Sequence, residues 1–281
     1  MKFSVQDHTL ILDKTATRFV PARSQRDEFA PEGIVLHDTA GRLDKFNTVD
    51  YFRDTDKAVS AHFVVERDGT VTQMAKLNRK THHAGKSNYP RGGRPDVNAF
   101  SFGVEIVNLG GLIKQGDTYR PWFNASYKEG GKDGSLFAEL ATPDHKHHHW
   151  QHYTEPQILA VTGLCQALFS AYKLNWLTTH WYISPGRKED TNPLFPLDQV
   201  RSLVLGEADE EGNSAIVSAS ANQRKWPAYA DNVIQVIERG AKVAIIRFGD
   251  FQSMPDQKEK WYLISHNGHE GWMNASALNI A

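Results

Sequence analysis

Residues 33–37 read GIVLH, a short apolar run that ends on a histidine and leads into the glycine-containing turn DTAG at 38–41. An uninterrupted apolar run of this length is typical of a buried strand. It places His37 at the carboxyl end of a strand, where sites in α/β sheets tend to lie. A second apolar run, FGVEIV at 102–107, carries Glu105 in its middle. A carboxylate in so apolar a strand is costly and requires a reason.

Between these two runs, the sequence predicts a hairpin over 60–74, because the Asp-Gly pair at 68–69 favours the positive φ of a tight turn. Thr154 and Gln157 form a capping box ahead of helical apolar spacing that continues to residue 172. A helix is also expected over 197–205, and a shorter one with Thr48 as its cap. The predicted fold is α/β, a mixed β-sheet flanked by helices.

The length of 281 residues allows about two domains at roughly 150 residues each. An acidic, small and turn-prone stretch at 206–222 indicates a linker between a first domain, 1–205 with its core at 33–204, and a second, 223–281. Short strand-like pieces in the second predict a small all-β barrel. Residues 109–150 show little periodicity, and a loop this long is more often functional than structural.

Composition excludes several classes of protein. A formal net charge of -1 argues against a general nucleic-acid binder. The single cysteine, Cys165, excludes an intramolecular disulfide and a thiolate metal cluster. No apolar run approaches the roughly 20 residues of a membrane span, and the N-terminus lacks the features of a secretory signal. We therefore expect a soluble protein, cytoplasmic or reaching the cell wall by a route without a signal peptide. The sequence indicates no oligomeric state.

A polar segment at 179–193, THWYISPGRKEDTNP, holds His180, Lys188 and Asp190. Ser-Pro-Gly at 184–186 interrupts any helix, and alternation would send Lys188 and Asp190 into one site. Two histidines and an aspartate leave one position of a tetrahedral zinc ion open for water, as in catalytic sites. With thirteen histidines in the chain, however, such a combination is also expected by chance.

The order of the motifs is more specific than the spacing. The chain resembles the zinc-dependent N-acetylmuramoyl-L-alanine amidases of the amidase-2 type, relatives of peptidoglycan recognition proteins, over about 33–204. The resemblance implies that His37, His180 and Asp190 bind one zinc ion per chain, that Glu105 is the catalytic carboxylate, and that Lys188 lies near the scissile carbonyl. The motifs are GIVLHDTAG, SAHFVVERDGTVTQM, HHAGKS, NAFSFGVEIVNLG, HYTEPQILAV and THWYISPGRKED.

The implied activity is hydrolysis of the amide between N-acetylmuramic acid and L-alanine of peptidoglycan or muropeptides by zinc-activated water. His83, Tyr89 and Asn98 are the implied substrate-binding residues, although Tyr89 stands where relatives commonly carry tryptophan. The alternative is a peptidoglycan-binding module without catalysis. Arg187 is interpreted as structural, and the histidines between 145 and 152 as a polar loop. The C-terminal segment resembles a bacterial SH3-like domain, in which Trp272 is expected to serve packing.

Overall fold

The computed structural model describes residues 2–89, 94–142, 145–205, 214–224, 227, 229, 232–254, 257–267 and 269–280. The chain forms two compact units. The first consists of Met1–Asn88 with Pro95–Leu205, and the second of Tyr89–Arg94 with Gly206–Ala281. Each unit has a hydrophobic core of its own.

A mixed six-stranded sheet forms the centre of the first unit. The strand that ends with His37 and Asp38 lies between two parallel neighbours. The predicted hairpin is confirmed, because Phe63–Val65 and Val71–Gln73 pair antiparallel. The order across the sheet is Trp176–Thr179, Gly33–Asp38, Ser101–Ile106, Phe63–Val65, Val71–Gln73 and Arg18–Phe19.

The two faces of this sheet have different environments. Leu36 and Val104 pack in one hydrophobic core with the apolar side of the helix Glu155–Ala171. His37 and Glu105 follow them in the strands, and successive strand residues project to opposite faces. The polar pair therefore faces away from the long helix.

The N-terminus of the helix Glu155–Ala171 is as the sequence predicts, whereas that of the helix Asn47–Asp54 is not. The capping box is confirmed: the Thr154 hydroxyl accepts from the Gln157 backbone, and the Gln157 side chain accepts from the Thr154 backbone. The prediction that Thr48 is a cap was wrong, because the left-handed backbone of Phe46 turns the chain into the helix before Thr48 is reached. The α-helices are Asn47–Asp54, Glu155–Ala171, His180–Ile183 and Leu197–Leu205; the 3-10 helices are Val97–Ala99 and Ala275–Ala277.

Smaller sheets complete the first unit. One lies at the N-terminus, and its Phe3 and Leu10 join the main core. Another occupies much of 109–150, the region whose sequence lacks periodicity, and is a four-stranded antiparallel sheet. The N-terminal strands are Phe3–Gln6, Thr9–Leu12 and Thr15–Ala16; the four are, in spatial order, Thr118–Arg120, Gly111–Gln115, His149–Gln151 and Phe137–Glu139. A separate two-stranded sheet pairs Asn88–Tyr89 with Arg94–Pro95, and its residues are divided between the two units.

A seven-stranded antiparallel sheet makes up the second unit. Trp261 and Trp272 are both buried, which agrees with the packing role predicted for Trp272. The strand order is Val233–Ile237, Ala221–Arg224, His269–Asn274, Gln257–His266, Lys242–Met254, Ser214–Val217 and Leu278–Ile280.

The stretch predicted as a linker, 206–222, differs from that expectation in its described part. It contains the strand Ser214–Val217 and the beginning of Ala221–Arg224. Ala215 and Val217 are buried in the core of the second unit, which explains why a stretch of small residues is ordered as a strand. Residues 206–213 lie outside the described part of the chain. Among the described helices, none has the length and apolar character needed to cross a membrane.

Candidate metal centre and active site

The central sheet places His37 and Glu105 side by side. In the parallel register, Glu105 lies opposite His37 on one neighbouring strand and opposite Val64 on the other. Paired residues of adjacent strands project to the same face of a sheet. His37 is buried, whereas Glu105 is partly accessible to solvent.

The loop after the adjacent strand supplies the remaining groups. The strand Trp176–Thr179 leads directly into a single helical turn, His180–Ile183, so the segment predicted as a loop begins with a short helix. The Trp181 backbone N–H donates to the Asp190 carbonyl at 2.7 Å. This bond folds the loop back on itself and returns Asp190 to the side of His180.

Three potential ligand atoms converge at this point. His37 Nδ1 lies 2.9 Å from His180 Nδ1 and 3.2 Å from Asp190 Oδ2, and His180 Nδ1 lies 2.9 Å from the same carboxylate oxygen. A tetrahedral ion with ligands at about 2.0–2.1 Å separates its ligand atoms by about 3.3 Å. The triangle therefore has close to the dimensions that zinc requires.

The outer ring nitrogens define which nitrogens carry protons. His180 Nε2 lies 3.1 Å from the carbonyl oxygen of Ala84, which can only accept, so His180 donates through Nε2. His83 Nε2 likewise donates to the Ser101 carbonyl at 3.2 Å, which leaves His83 Nδ1 to accept from His37 Nε2 at 2.9 Å. A neutral imidazole that donates through Nε2 has a lone pair on Nδ1.

Both inner Nδ1 atoms thus carry lone pairs in the neutral rings, and both point at the Asp190 carboxylate. Burial, followed by the nearby His180, lowers the pKa of His37 to about 4, so His37 is neutral at pH 7. Burial raises the pKa of Asp190, but the charge and hydrogen bonds of His180 and His37 in their protonated forms outweigh burial and hold that pKa well below its usual range, so the carboxylate ionises before either imidazole loses its proton. Three acceptors facing one another without a proton between them form a site suited to a cation. The second hydrogen bond of each imidazole matches the outer support common in metal sites.

The loop beyond Asp190 is fixed by a buried network. Tyr153 Oη donates to Asp38 Oδ1 at 2.5 Å, and the Asn192 backbone N–H donates to Asp38 Oδ2 at 2.9 Å. Burial raises the pKa of Asp38 to about 8, with the Tyr153 hydrogen bond opposing this effect. The network anchors the chain two residues after the Asp190 carboxylate.

Glu105 and Lys188 bring a carboxyl group and a cation to the same site. Burial, followed by the charges of Asp190 and Asp38, raises the pKa of Glu105 well above its ordinary value, while Lys188 lowers it. Among the described residues, neither the Glu105 carboxylate nor the Lys188 ammonium has a hydrogen-bond partner. Both groups are therefore available to a substrate.

Of the three predicted substrate-binding residues, the structure describes the side chains of His83 and Asn98, and both are buried as supports of the site. His83 is buried behind His37 and bonded through both ring nitrogens, so it supports a candidate ligand. Asn98 is also buried, and its Oδ1 accepts the backbone N–H groups of His83 and Ala84. The side chain of Tyr89 lies outside the described part of the structure. Sequence motifs alone could not separate residues that touch substrate from residues that hold the site.

Two further residues, Arg187 and Gly103, help to hold the candidate ligands in place. Arg187 donates to the carbonyls of Ala84 and Lys86 at 3.0 and 3.1 Å, so its predicted structural role is confirmed. Gly103 lies beneath the ring of His83, where an added Cβ would come within 2.4 Å of the imidazole. The absence of a side chain at Gly103 makes room for the histidine that orients His37.

His62 makes the stability of the first unit depend on pH. It is buried, donates through Nε2 to the Arg79 carbonyl at 2.8 Å, and accepts the Gly103 N–H on Nδ1 at 3.1 Å. Burial lowers its pKa to about 3, against an unperturbed 6.5. Between those values the unfolded chain binds the extra proton, so stability is lost as the pH falls through this window.

We expect His62→Gln to remove a slope of about 1.4 kcal/mol per pH unit from the free energy of unfolding in that window. Urea titrations of the metal-free protein and the variant at several pH values between 4.5 and 7 would measure the difference. The same change at the exposed His148 serves as the control. Identical pH dependence in the parent and His62→Gln would contradict the assignment.

Comparison with known proteins gives the class to which this fold and site belong. The family model described as N-acetylmuramoyl-L-alanine amidase matches residues 27–193. The protein therefore belongs to the N-acetylmuramoyl-L-alanine amidase family, and the resemblance in the motifs is confirmed.

The individual relatives have low sequence identity to this chain. The 1,6-anhydro-N-acetylmuramyl-L-alanine amidase AmpD of Salmonella typhimurium is 29% identical over 153 residues, which cover 54% of this chain and 61% of that protein. The AmpD of Escherichia coli is 26% identical over 151 residues, covering 53% and 60%. The chain thus spans about three fifths of the length of these relatives.

The solved structures that match are also distant in sequence. A crystal structure of an AmpD derivative has a TM-score of 0.45 at 21% identity, covering 71% of this chain and 98% of the other. The amidase AmiD from E. coli, solved with the substrate anhydro-N-acetylmuramic acid-L-Ala-D-gamma-Glu-L-Lys, has a TM-score of 0.45 at 22% identity, covering 74% and 68%.

Proposed function

We propose that this protein is a zinc-dependent amidase that hydrolyses the bond between the lactyl carbonyl of N-acetylmuramic acid and the amine of L-alanine. The observation that carries the proposal is the convergence of one potential ligand atom each from His37, His180 and Asp190, beside the Glu105 carboxylate, which has no hydrogen-bond partner among the described residues. Membership of the amidase family supports the same conclusion.

The donor set fits zinc, since two imidazoles and one carboxylate leave a position for water. When bound at such a site, zinc polarises a carbonyl and makes water acidic enough, with a pKa of about 7, to react near neutral pH. In the proposed reaction Glu105 accepts a proton from the attacking water and delivers it to the alanine nitrogen as the carbon–nitrogen bond breaks. Lys188 stabilises the negative charge that develops on the carbonyl oxygen.

We further propose that the substrates are anhydromuramyl peptides or peptidoglycan strands. The names of the AmpD relatives, which specify 1,6-anhydro-N-acetylmuramyl-L-alanine, support the soluble class. For the second unit we propose an SH3-like domain that positions the enzyme or holds cell-wall peptide. Its support is the Trp-Tyr strand at 261–262 followed by a Gly-Trp strand at 271–272.

The test is the product formed from each substrate class. The zinc-loaded protein is expected to release free stem peptide with a new L-alanine amine, detected by mass spectrometry, from anhydromuramyl tripeptide or from purified sacculi. Preference for the soluble compound would agree with a cytoplasmic enzyme, and preference for sacculi with one acting at the wall. Binding of both substrates without release of peptide would favour the non-catalytic alternative.

A further inference from the structure

The region 110–150 contacts the loop that carries two of the candidate metal ligands, and it does so through a short histidine-rich segment. This segment, 145–148, directly precedes the strand His149–Gln151 of the four-stranded sheet. It lies against the loop between His180 and Asp190 within the same unit. The proposed reaction assigns no role to these histidines.

Glu189 is the point of contact. Its Oε1 accepts the backbone N–H of Lys146 at 2.7 Å, and its Oε2 accepts Nδ1–H of His147 at 2.7 Å. Two short bonds to different oxygens fix both the position and the orientation of the carboxylate. Glu189 is 22% exposed and His147 37%, so the pair is partly shielded from water.

A second contact supports the other side of the same loop. The ring of His145 packs 5.4 Å from that of Trp181, and lies 5.2 Å from that of Trp150 in the four-stranded sheet. Trp181 in turn donates its backbone N–H to the Asp190 carbonyl. The segment thus touches the loop near its beginning and near its end.

The imidazole of His147 occupies space above a glycine of the four-stranded sheet. An added Cβ at Gly111 would lie 2.3 Å from His147 Nδ1, the atom that donates to Glu189. Gly111 pairs with Trp150 in the neighbouring strand, so a sheet residue and not a surface loop determines the space available to the imidazole. The absence of a side chain at Gly111 therefore leaves room for the imidazole that bonds to Glu189.

Glu189 separates the two residues whose positions matter most in the loop. Lys188 precedes it and Asp190 follows it, and the Lys188 ammonium has no partner of its own among the described residues. The placement of Lys188 consequently depends on the backbone that Glu189 holds. Misplacement of a reacting group by about 1 Å can cost on the order of 100-fold in rate.

We propose that His147, together with the backbone of Lys146, is a positioning residue that holds Lys188 and Asp190 through Glu189. Removing a hydrogen-bond partner of a metal ligand costs about 10- to 100-fold in metal affinity or activity. His147 acts one step further out, through the backbone beside Glu189, so we expect an effect at the lower end of that range. The kinetic consequence rests on the proposed function, whereas the effects on metal affinity and on loop protection do not.

The experiment compares His147→Ala with His148→Ala, a matched control at an exposed neighbour. In His147→Ala we expect zinc affinity, measured by competition with a chelator, to fall about tenfold, and kcat to fall about tenfold with KM within twofold. Amides of 181–191 should exchange hydrogen faster in the metal-free variant. His148→Ala should match the parent in each measurement.

Two further variants separate positioning from general damage. His147→Asn keeps an N–H donor near the position of Nδ1 and should restore most of the loss, whereas Gly111→Ala should reproduce it by displacing the ring. Equal zinc affinity, kcat and exchange in His147→Ala and His148→Ala would overturn the proposal. If the parent cleaves no substrate, the proposed function fails while zinc affinity and exchange still decide this inference.

Discussion

Glu105→Gln is expected to lower kcat for release of stem peptide by about 10²- to 10⁴-fold while the protein still binds zinc. The amide has nearly the size of the carboxylate but cannot accept the proton of the attacking water. Because Glu105 has no hydrogen-bond partner among the described residues, its replacement should leave the fold intact. Rates with anhydromuramyl tripeptide and zinc content by elemental analysis would measure the two effects separately.

Glu139→Gln is the control for that substitution. It makes the same chemical change on a carboxylate that is 70% exposed, in a strand of the four-stranded sheet. We expect this variant to have the parent rate. A Glu105→Gln protein that turns over substrate at the parent rate with zinc bound would sink the assignment of Glu105 as the proton-transfer group.

Asp190→Ala is expected to abolish zinc retention after gel filtration. The substitution removes the anionic member of the triangle and leaves two neutral imidazoles, which cannot balance the charge of the ion. Zinc at 1,000 times its Kd stabilises the parent by about 4 kcal/mol, which corresponds to a Tm increase of about 10 °C. The variant should lose this increase and all amidase activity.

Asp117→Ala provides the comparison, since Asp117 is 75% exposed and pairs with Lys128 at the surface. It should bind zinc and respond to it as the parent does. A similar Tm for metal-free Asp190→Ala and the metal-free parent would show that ligand loss, and not unfolding, explains the result. Full zinc occupancy in Asp190→Ala would require a different ligand set.

The elements that the sequence predicted best are those with strong local signals. The run 33–37 could be recognised as a strand because every residue before His37 is apolar or glycine, and the Thr154 helix because its cap and its apolar spacing agree. The motif order supplied the candidate ligands, and the structure brings them within reach of one ion. Whether they bind zinc stays a prediction.

The residues that hold the candidate ligands and their loop in place could not be predicted in the same way. His83 acts through His37, and Glu189 through the neighbours it holds, so neither contact leaves a pattern in local spacing. The four-stranded sheet is built from strands of three to five residues interrupted by glycine and turns, too short to show an alternating pattern. Such features become visible only when distant segments are brought together.

The two glycines beneath histidine rings have a consequence for mutational scanning. Gly103 lies under His83 and Gly111 under His147, and in both cases the nearest atom to an added Cβ is an atom of the imidazole. In a library selected for cell-wall cleavage, even alanine at these positions should be depleted, although neither glycine has a side chain that could reach a substrate. Intolerance to substitution at these two positions would therefore reflect the space that the backbone leaves for an imidazole. Interpreting every intolerant position as a substrate-contacting residue would assign both glycines the wrong role.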